Sequence, residues 1–161
     1  MNDLLVKLYE LPPHERFPEK ASSNSFIVRR AIAPEKSLIT KWVDTRFGTP
    51  WADETTGAFS RQPVSCMVAH TISGDRLLGF ACYHSPFLGF FGPMGVEETS
   101  QRKGVGTNLL LQSLYAIRSE GYAYAIIGQA SSHEFYERTV GAVPIPGSSP
   151  GPYASQLRHT T

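Results

Sequence analysis

Twelve residues near the middle of the chain bring together what an anion needs. Val96-Glu97-Glu98-Thr99-Ser100-Gln101-Arg102-Lys103-Gly104-Val105-Gly106-Thr107 runs out of an apolar segment, through a polar loop, into two glycines. The longest run of helical apolar spacing begins there. First-turn N–H groups of a helix lack intrahelical acceptors, and aligned peptide dipoles make that end positive. Glycine lets a ligand approach the main chain, while Arg102 and Lys103 add formal charge. A pyrophosphate suits such a cradle. On the glycines alone, an ordinary strand-to-helix turn fits equally well.

Other stretches that look chemical fail on chemistry. Gly147-Ser148-Ser149-Pro150-Gly151 matches a nucleophile elbow. The residue after the serine must donate its N–H to an oxyanion, and Pro150 has none. The five histidines and two cysteines show no metal-ligand spacing, so no metal is expected. Gly104-Val105-Gly106 lacks the third glycine of a dinucleotide fingerprint, since Leu109 stands in its place.

The elements that must position the cradle follow from periodicity and punctuation. Residues 4–9 alternate weakly before Pro12-Pro13, as an edge strand or a loose arm within residues 1–24. Residues 25–33 read as a strand, and Pro34 opens a helix to Phe47 with Leu38, Ile39, Trp42, Val43 and Phe47 on its apolar face. A second short helix is expected over 51–61. Strands over 64–72 and 76–84 flank the turn Ser73-Gly74-Asp75, and some registers of that hairpin set Cys66 opposite Cys82. The two are read as buried free thiols. A third strand, 87–96, carries Gly89, Gly92, Pro93 and Gly95, which marks a bulge or an edge. Then come a helix over 104–120, a strand over 122–129, a helix over 132–140, a last strand over 142–145 and an irregular tail over 147–161. This order makes an α/β (α+β) domain around a mixed sheet, one domain spanning 1–161.

Composition narrows the partners. With 15 Lys and Arg against 14 Asp and Glu, the net charge is +1 and a strongly basic nucleic-acid binder is not expected, although local clusters can still matter. No apolar stretch approaches the roughly 20 residues of a membrane span. Two cysteines make no disulfide framework and the N-terminus has no secretory pattern, so a cytoplasmic protein is expected.

From Phe90 to Val143 the chain resembles the GNAT superfamily of acyl-CoA-dependent N-acetyltransferases. The family's loop, [Q/R]-x-x-G-x-[G/A], is matched by Gln101-Arg102-Lys103-Gly104-Val105-Gly106 after a strand ending at Val96. About 30 residues on, His133-Glu134-Phe135-Tyr136-Glu137-Arg138 before Gly141-Ala142 resembles the family's tyrosine-bearing last helix. The resemblance implies a mostly antiparallel twisted sheet with one parallel pair splayed into a cofactor cleft. It implies acetyl-CoA as cosubstrate, its pantetheine amides on the backbone of Met94 and Val96. Its pyrophosphate would lie on Gln101, Arg102, Lys103, Gly104, Val105, Gly106 and Thr107, with Gln129 as a further contact. It implies attack by the primary amine of a small molecule or a peptide, with Tyr136 protonating the departing thiolate. The base is left open among His84, Glu97, Glu98 and a water relay. So are a non-catalytic acyl-CoA-binding module and a protein binding another nucleotide at Gly104–Gly106. The family's final hairpin looks truncated here, which would leave a sheet edge for a homodimer.

Overall fold

The computed structural model describes residues 1–13 and 26–158. Ser25 of the expected second strand, residues 14–24 of the expected arm and residues 159–161 of the tail lie outside those residues. The sheet has seven strands: Leu4–Lys7 (β1), Phe26–Arg30 (β2), Cys66–Thr71 (β3), Leu77–Tyr83 (β4), Phe90–Val96 (β5), Tyr124–Ile127 (β6) and Val143–Pro144 (β7), in the order β2-β3-β4-β5-β6-β1-β7. All neighbours are antiparallel except β5 and β6. This is the α/β arrangement expected from the sequence, a mostly antiparallel sheet with one parallel pair.

Helices cover both faces. The apolar stripe of Val105–Ser119 sends Leu109, Leu110, Leu114 and Ile117 into the core on one face. Against the other lie two helices, Lys36–Phe47 (α1) and Thr49–Ala58 (α2), with Ile39, Val43 and Ala52 packed on Phe80. We label Val105–Ser119 α3 and the last helix, His133–Val140, α4. β4 divides its side chains between the two cores, Ala81 and Tyr83 to one, Phe80 and Cys82 to the other, as period two requires. Leu38, expected on the buried face of α1, is 64% exposed. Cys66 faces Cys82 in register, and both are buried free thiols. The Cys66 thiol is pushed well up by its hydrogen bond to Cys82 and by burial.

The strand near the N-terminus is neither an edge nor a loose arm. β1 lies between β6 and β7, antiparallel to both, with Leu4 opposite Ile127 and Lys7 opposite Tyr124. Leu4 and Val6 are buried, and Asp3 accepts the Gln129 N–H on its Oδ1 at 2.8 Å. β1 thus covers the flank of β6, where a truncated final hairpin is expected to leave an edge for a second subunit.

β5 creates the cleft. It pairs with β6 only at Phe90–Ile126 and Phe91–Ile127. Ala81 and Tyr83, two apart on β4, face Met94 and Phe91, three apart on β5, so β5 carries one extra residue at Gly92-Pro93. Gly92 sits there at φ +118°, a conformation glycine alone adopts without strain. Gly95, expected to belong to the bulge, has a different use, since a Cβ there would stand 2.5 Å from the Phe47 ring. That bare backbone seats α1 on the sheet. Gly95→Ala should therefore cost about 2 kcal/mol of stability, a fall in Tm of roughly 4–8 °C, and Phe47→Leu in the same chain should recover part of it. Thermal denaturation of the single and double variants checks this.

Candidate active site

Where β5 leaves β6, two cavities open along it. The first holds about 1030 Å³ between the C-terminal half of β5, the loop into α3 and the start of α4. Met94, Val96, Gln101, Arg102, Gly106 and Thr107 line one side, together with Gly104; Ser132, His133 and Arg138 line the other. The loop is shaped by two residues in left-handed conformation, Arg102 at φ +64° and Gly104 at φ +85°. Gly104 caps α3, whose first helical bond runs from the Asn108 N–H to Gly104 O at 3.1 Å. The N–H groups of Val105, Gly106 and Thr107 therefore precede any helical acceptor. A Cβ on Gly106 would come within 3.7 Å of Met94 and Val96, so glycine keeps this wall low.

The loop is braced from outside. Glu97 pairs with Arg76 and accepts from Ser100 Oγ at 2.8 Å and Thr99 Oγ1 at 3.0 Å. Burial would raise its carboxyl, but these hydrogen bonds outweigh burial and hold it below the usual range. A carboxylate so occupied is a poor base. The Val96 carbonyl accepts from Gln101 Nε2 at 3.3 Å, so one of the expected ligand-facing backbone groups already has a partner. Lys103 is exposed and Val105 is buried in the core; neither side chain lines the cavity, and only the Val105 N–H can serve the cradle.

The second cavity, about 370 Å³, lies over the other half of β5, with Phe90, Phe91, Gly92 and Pro93 as its floor. Ser131 lines both cavities. Trp51 and Glu54 from α2 and Tyr153 from the C-terminal segment complete the walls, and Gln129 stands here rather than in the first cavity. Tyr153 is held edge-on against Phe87 at 5.6 Å, and its hydroxyl rests over Gly128, where a Cβ would be 2.7 Å away. That hydroxyl is pushed up to about 12 by burial and by the charges of Glu54 and Asp3. Burial on α2 raises the Glu54 carboxyl to about 7. In the sequence, Asp53 and Glu54 beside Trp51 are only a faint sign of an amine pocket. Tyr153 carries no signal there, because it follows an irregular proline-rich stretch.

His84 is no base. Its Nδ1 accepts the Gly89 N–H at 2.9 Å, which puts the ring proton on Nε2, donated to Glu120 Oε2 at 2.5 Å. With that assignment the neutral imidazole has no lone pair left for an amine. The His84 ring instead closes the turn over 84–89. Tyr136 packs edge-on against Phe91 at 6.3 Å, on the helix whose His133, Phe135 and Arg138 wall the first cavity, and is not itself a lining residue of either cavity. Burial raises its phenol to about 12.

Residues 36–142, more than half of the chain, match the acetyltransferase (GNAT) family. The chain belongs to that family. No curated protein sequence matches this GNAT chain. Among solved structures, it is similar to a GCN5-related glucosamine N-acetyltransferase region of a fungal multi-domain GH3 β-N-acetylglucosaminidase, with TM-score 0.73, 13% identity, and 89% of this chain against 19% of that one. A GCN5-related N-acetyltransferase from Sphaerobacter thermophilus superposes with TM-score 0.69 at 15% identity, over 89% of this chain and 48% of the other. A GNAT family acetyltransferase from Brucella melitensis in complex with acetyl-CoA gives TM-score 0.55 at 17% identity, over 71% of this chain and 81% of that one. This chain thus spans less than half the length of the first two. At these identities the likeness is one of fold.

The cradle's charge makes a prediction about the two neighbouring cations. Arg102→Ala should weaken coenzyme A binding roughly tenfold, as loss of one charge-assisted hydrogen bond does, and flatten its salt dependence. Lys103→Ala should change it less, because Lys103 does not line the cavity. Calorimetric titrations of coenzyme A at two salt concentrations compare them.

Proposed function

We propose that this GNAT protein transfers an acetyl group from acetyl-CoA to the primary amine of a small molecule, by direct attack with both substrates bound. One observation carries the reading: β5, paired on one side only beyond Phe91, runs beneath two cavities that meet at Ser131. The first cavity fits a pyrophosphate through the first-turn N–H groups of α3, Arg102 and the Thr107 hydroxyl. An extended amide-bearing arm would then continue along β5 as a strand does, on the backbone of Met94 and Val96. That course leads toward Gly92 and Gln129, where a thioester meets whatever fills the second cavity. Acetyl-CoA supplies an activated acyl carbon and a thiolate leaving group.

The protein's own groups do the rest. Phe91, Pro93 and Trp51 exclude water from the junction. Tyr136 is assigned the proton for the departing thiolate: its hydroxyl makes no hydrogen bond to another described residue, and burial keeps it a phenol near neutral pH. A cavity of about 370 Å³ admits a compact acceptor more readily than a long peptide. The reduced Cys66–Cys82 pair fits a cytoplasmic setting.

Acetyl-CoA with an amine panel should release free thiol, and Tyr136→Phe should lower kcat at least tenfold with acetyl-CoA affinity unchanged. Thermal stabilisation by other nucleotides but not by coenzyme A would overturn the reading.

A further inference from the structure

The second cavity has an unusual wall. Pro50, Trp51, Pro86, Phe90, Phe91 and Tyr153 give it an aromatic and apolar side, and uncharged Ser85, Gln129, Ser131 and Gln156 supply most of the rest. Among the residues lining it, Glu54 alone carries a carboxylate, and no lysine, arginine or histidine side chain is present. The Met1 α-ammonium, the one cation on a lining residue, donates to Ser149 Oγ at 3.4 Å. Glu54 also lines a third cavity of about 730 Å³ on the outer side of α2, with the exposed Asp53, Ser60 and Gln62. A single carboxylate therefore stands between an aromatic chamber and a solvent-facing one. Its side chain accepts no hydrogen bond from another described residue, whereas its main-chain oxygen takes the Ser85 hydroxyl at 2.8 Å.

We propose that Glu54 receives the acceptor's ammonium group and removes its proton, and that the acceptor is a primary amine on a flat apolar or aromatic body with no carboxylate beside the nitrogen. This rests on the reading that the thioester lies along β5. The ammonium gives one proton to the Glu54 carboxylate, and the freed lone pair attacks the thioester carbon. The C–N bond forms and the C–S bond breaks. The nitrogen's second proton balances the thiolate by way of Tyr136, and Glu54 returns its own to water through the outer cavity. The products are an N-acetyl amine, coenzyme A thiol and one proton. Aromatic faces beside a carboxylate suit an ammonium on an apolar stem. A carboxylate on the same carbon would meet Glu54 with no cationic side chain to offset it.

The groups facing Glu54 are Asp53 on its own helix, Tyr153 and the Met1 amine inside, and Arg61 and His84 on the outer wall. With a carboxyl at about 7, the wild-type rate should fall as pH drops below that value and level off above it. Glu54→Gln must wait for free amine, so its rate should keep rising toward the amine's own pKa.

The experiment compares phenethylamine with phenylalanine, which differ only by a carboxylate, and adds spermidine and a lysine peptide. Phenethylamine should exceed phenylalanine at least tenfold in kcat/KM. Glu54→Gln should lower its kcat/KM roughly a hundredfold at pH 7, with acetyl-CoA affinity within about twofold by calorimetry. Ionised Glu54 opposes folding, so the Tm of Glu54→Gln relative to wild type should rise between pH 4.5 and about 7. Equal use of phenylalanine, or an unchanged rate and pH profile in Glu54→Gln, overturns this inference and leaves acetyl transfer standing. Acetyl-CoA binding with no amine acetylated overturns it too. Failure to bind acetyl-CoA removes the underlying reading as well.

Discussion

A strand paired on one side only has main-chain donors and acceptors that must find partners elsewhere, and β5 is such a strand from Gly92 onward. Hydrogen-bonding groups left in a cleft cost free energy unless water or a ligand satisfies them. The extra residue at Gly92-Pro93 turns β5 away from β6, and the polar backbone so uncovered becomes the floor of the site. Everything else serves that gap. α3 begins at one end of it with three N–H groups free of helical acceptors, and α4 closes its far wall.

Keeping the gap open requires the other face of the sheet to be held still. Phe47 sits on the bare backbone of Gly95 and stacks on Trp51 at 5.2 Å, so one aromatic contact joins the sheet to both α1 and α2. Trp51 in turn forms a wall of the second cavity, one helical turn from Glu54. The turn over 84–89 is pinned by His84, whose ring bonds Gly89 and Glu120, and by Ser85, whose hydroxyl reaches the main chain of Glu54. The walls of the second cavity and the seating of α1 on β5 are thus parts of one packing arrangement.

The parts read most readily from sequence are those governed by local rules. Helical spacing in α3, the glycines before it and the alternation along β3 and β4 depend on neighbours within a few residues. The bulge in β5 is legible because proline and glycine in a strand have few other uses. Gly95 misleads for the same reason: its need arises from Phe47, 48 positions away, and no local pattern records it. His84 resembles a base by residue type, while its hydrogen bonds to Gly89 and Glu120 exist only in three dimensions. Tyr153 reaches the site from a segment without periodicity. Placing β1 requires knowing that β6 has a vacant flank, which is a property of the assembled sheet.

The position of β1 also governs the order in which the molecule is completed. Its partners, residues 124–127, follow it by well over a hundred positions, and contacts of such separation form late because they close a long loop. During synthesis β1 must therefore wait until β6 exists. Asp3 arrives with it and takes the Gln129 N–H beside the second cavity. Closure of the sheet thus also fixes Gln129 at the second cavity, so the first residues of the chain help to shape a wall built more than a hundred positions later.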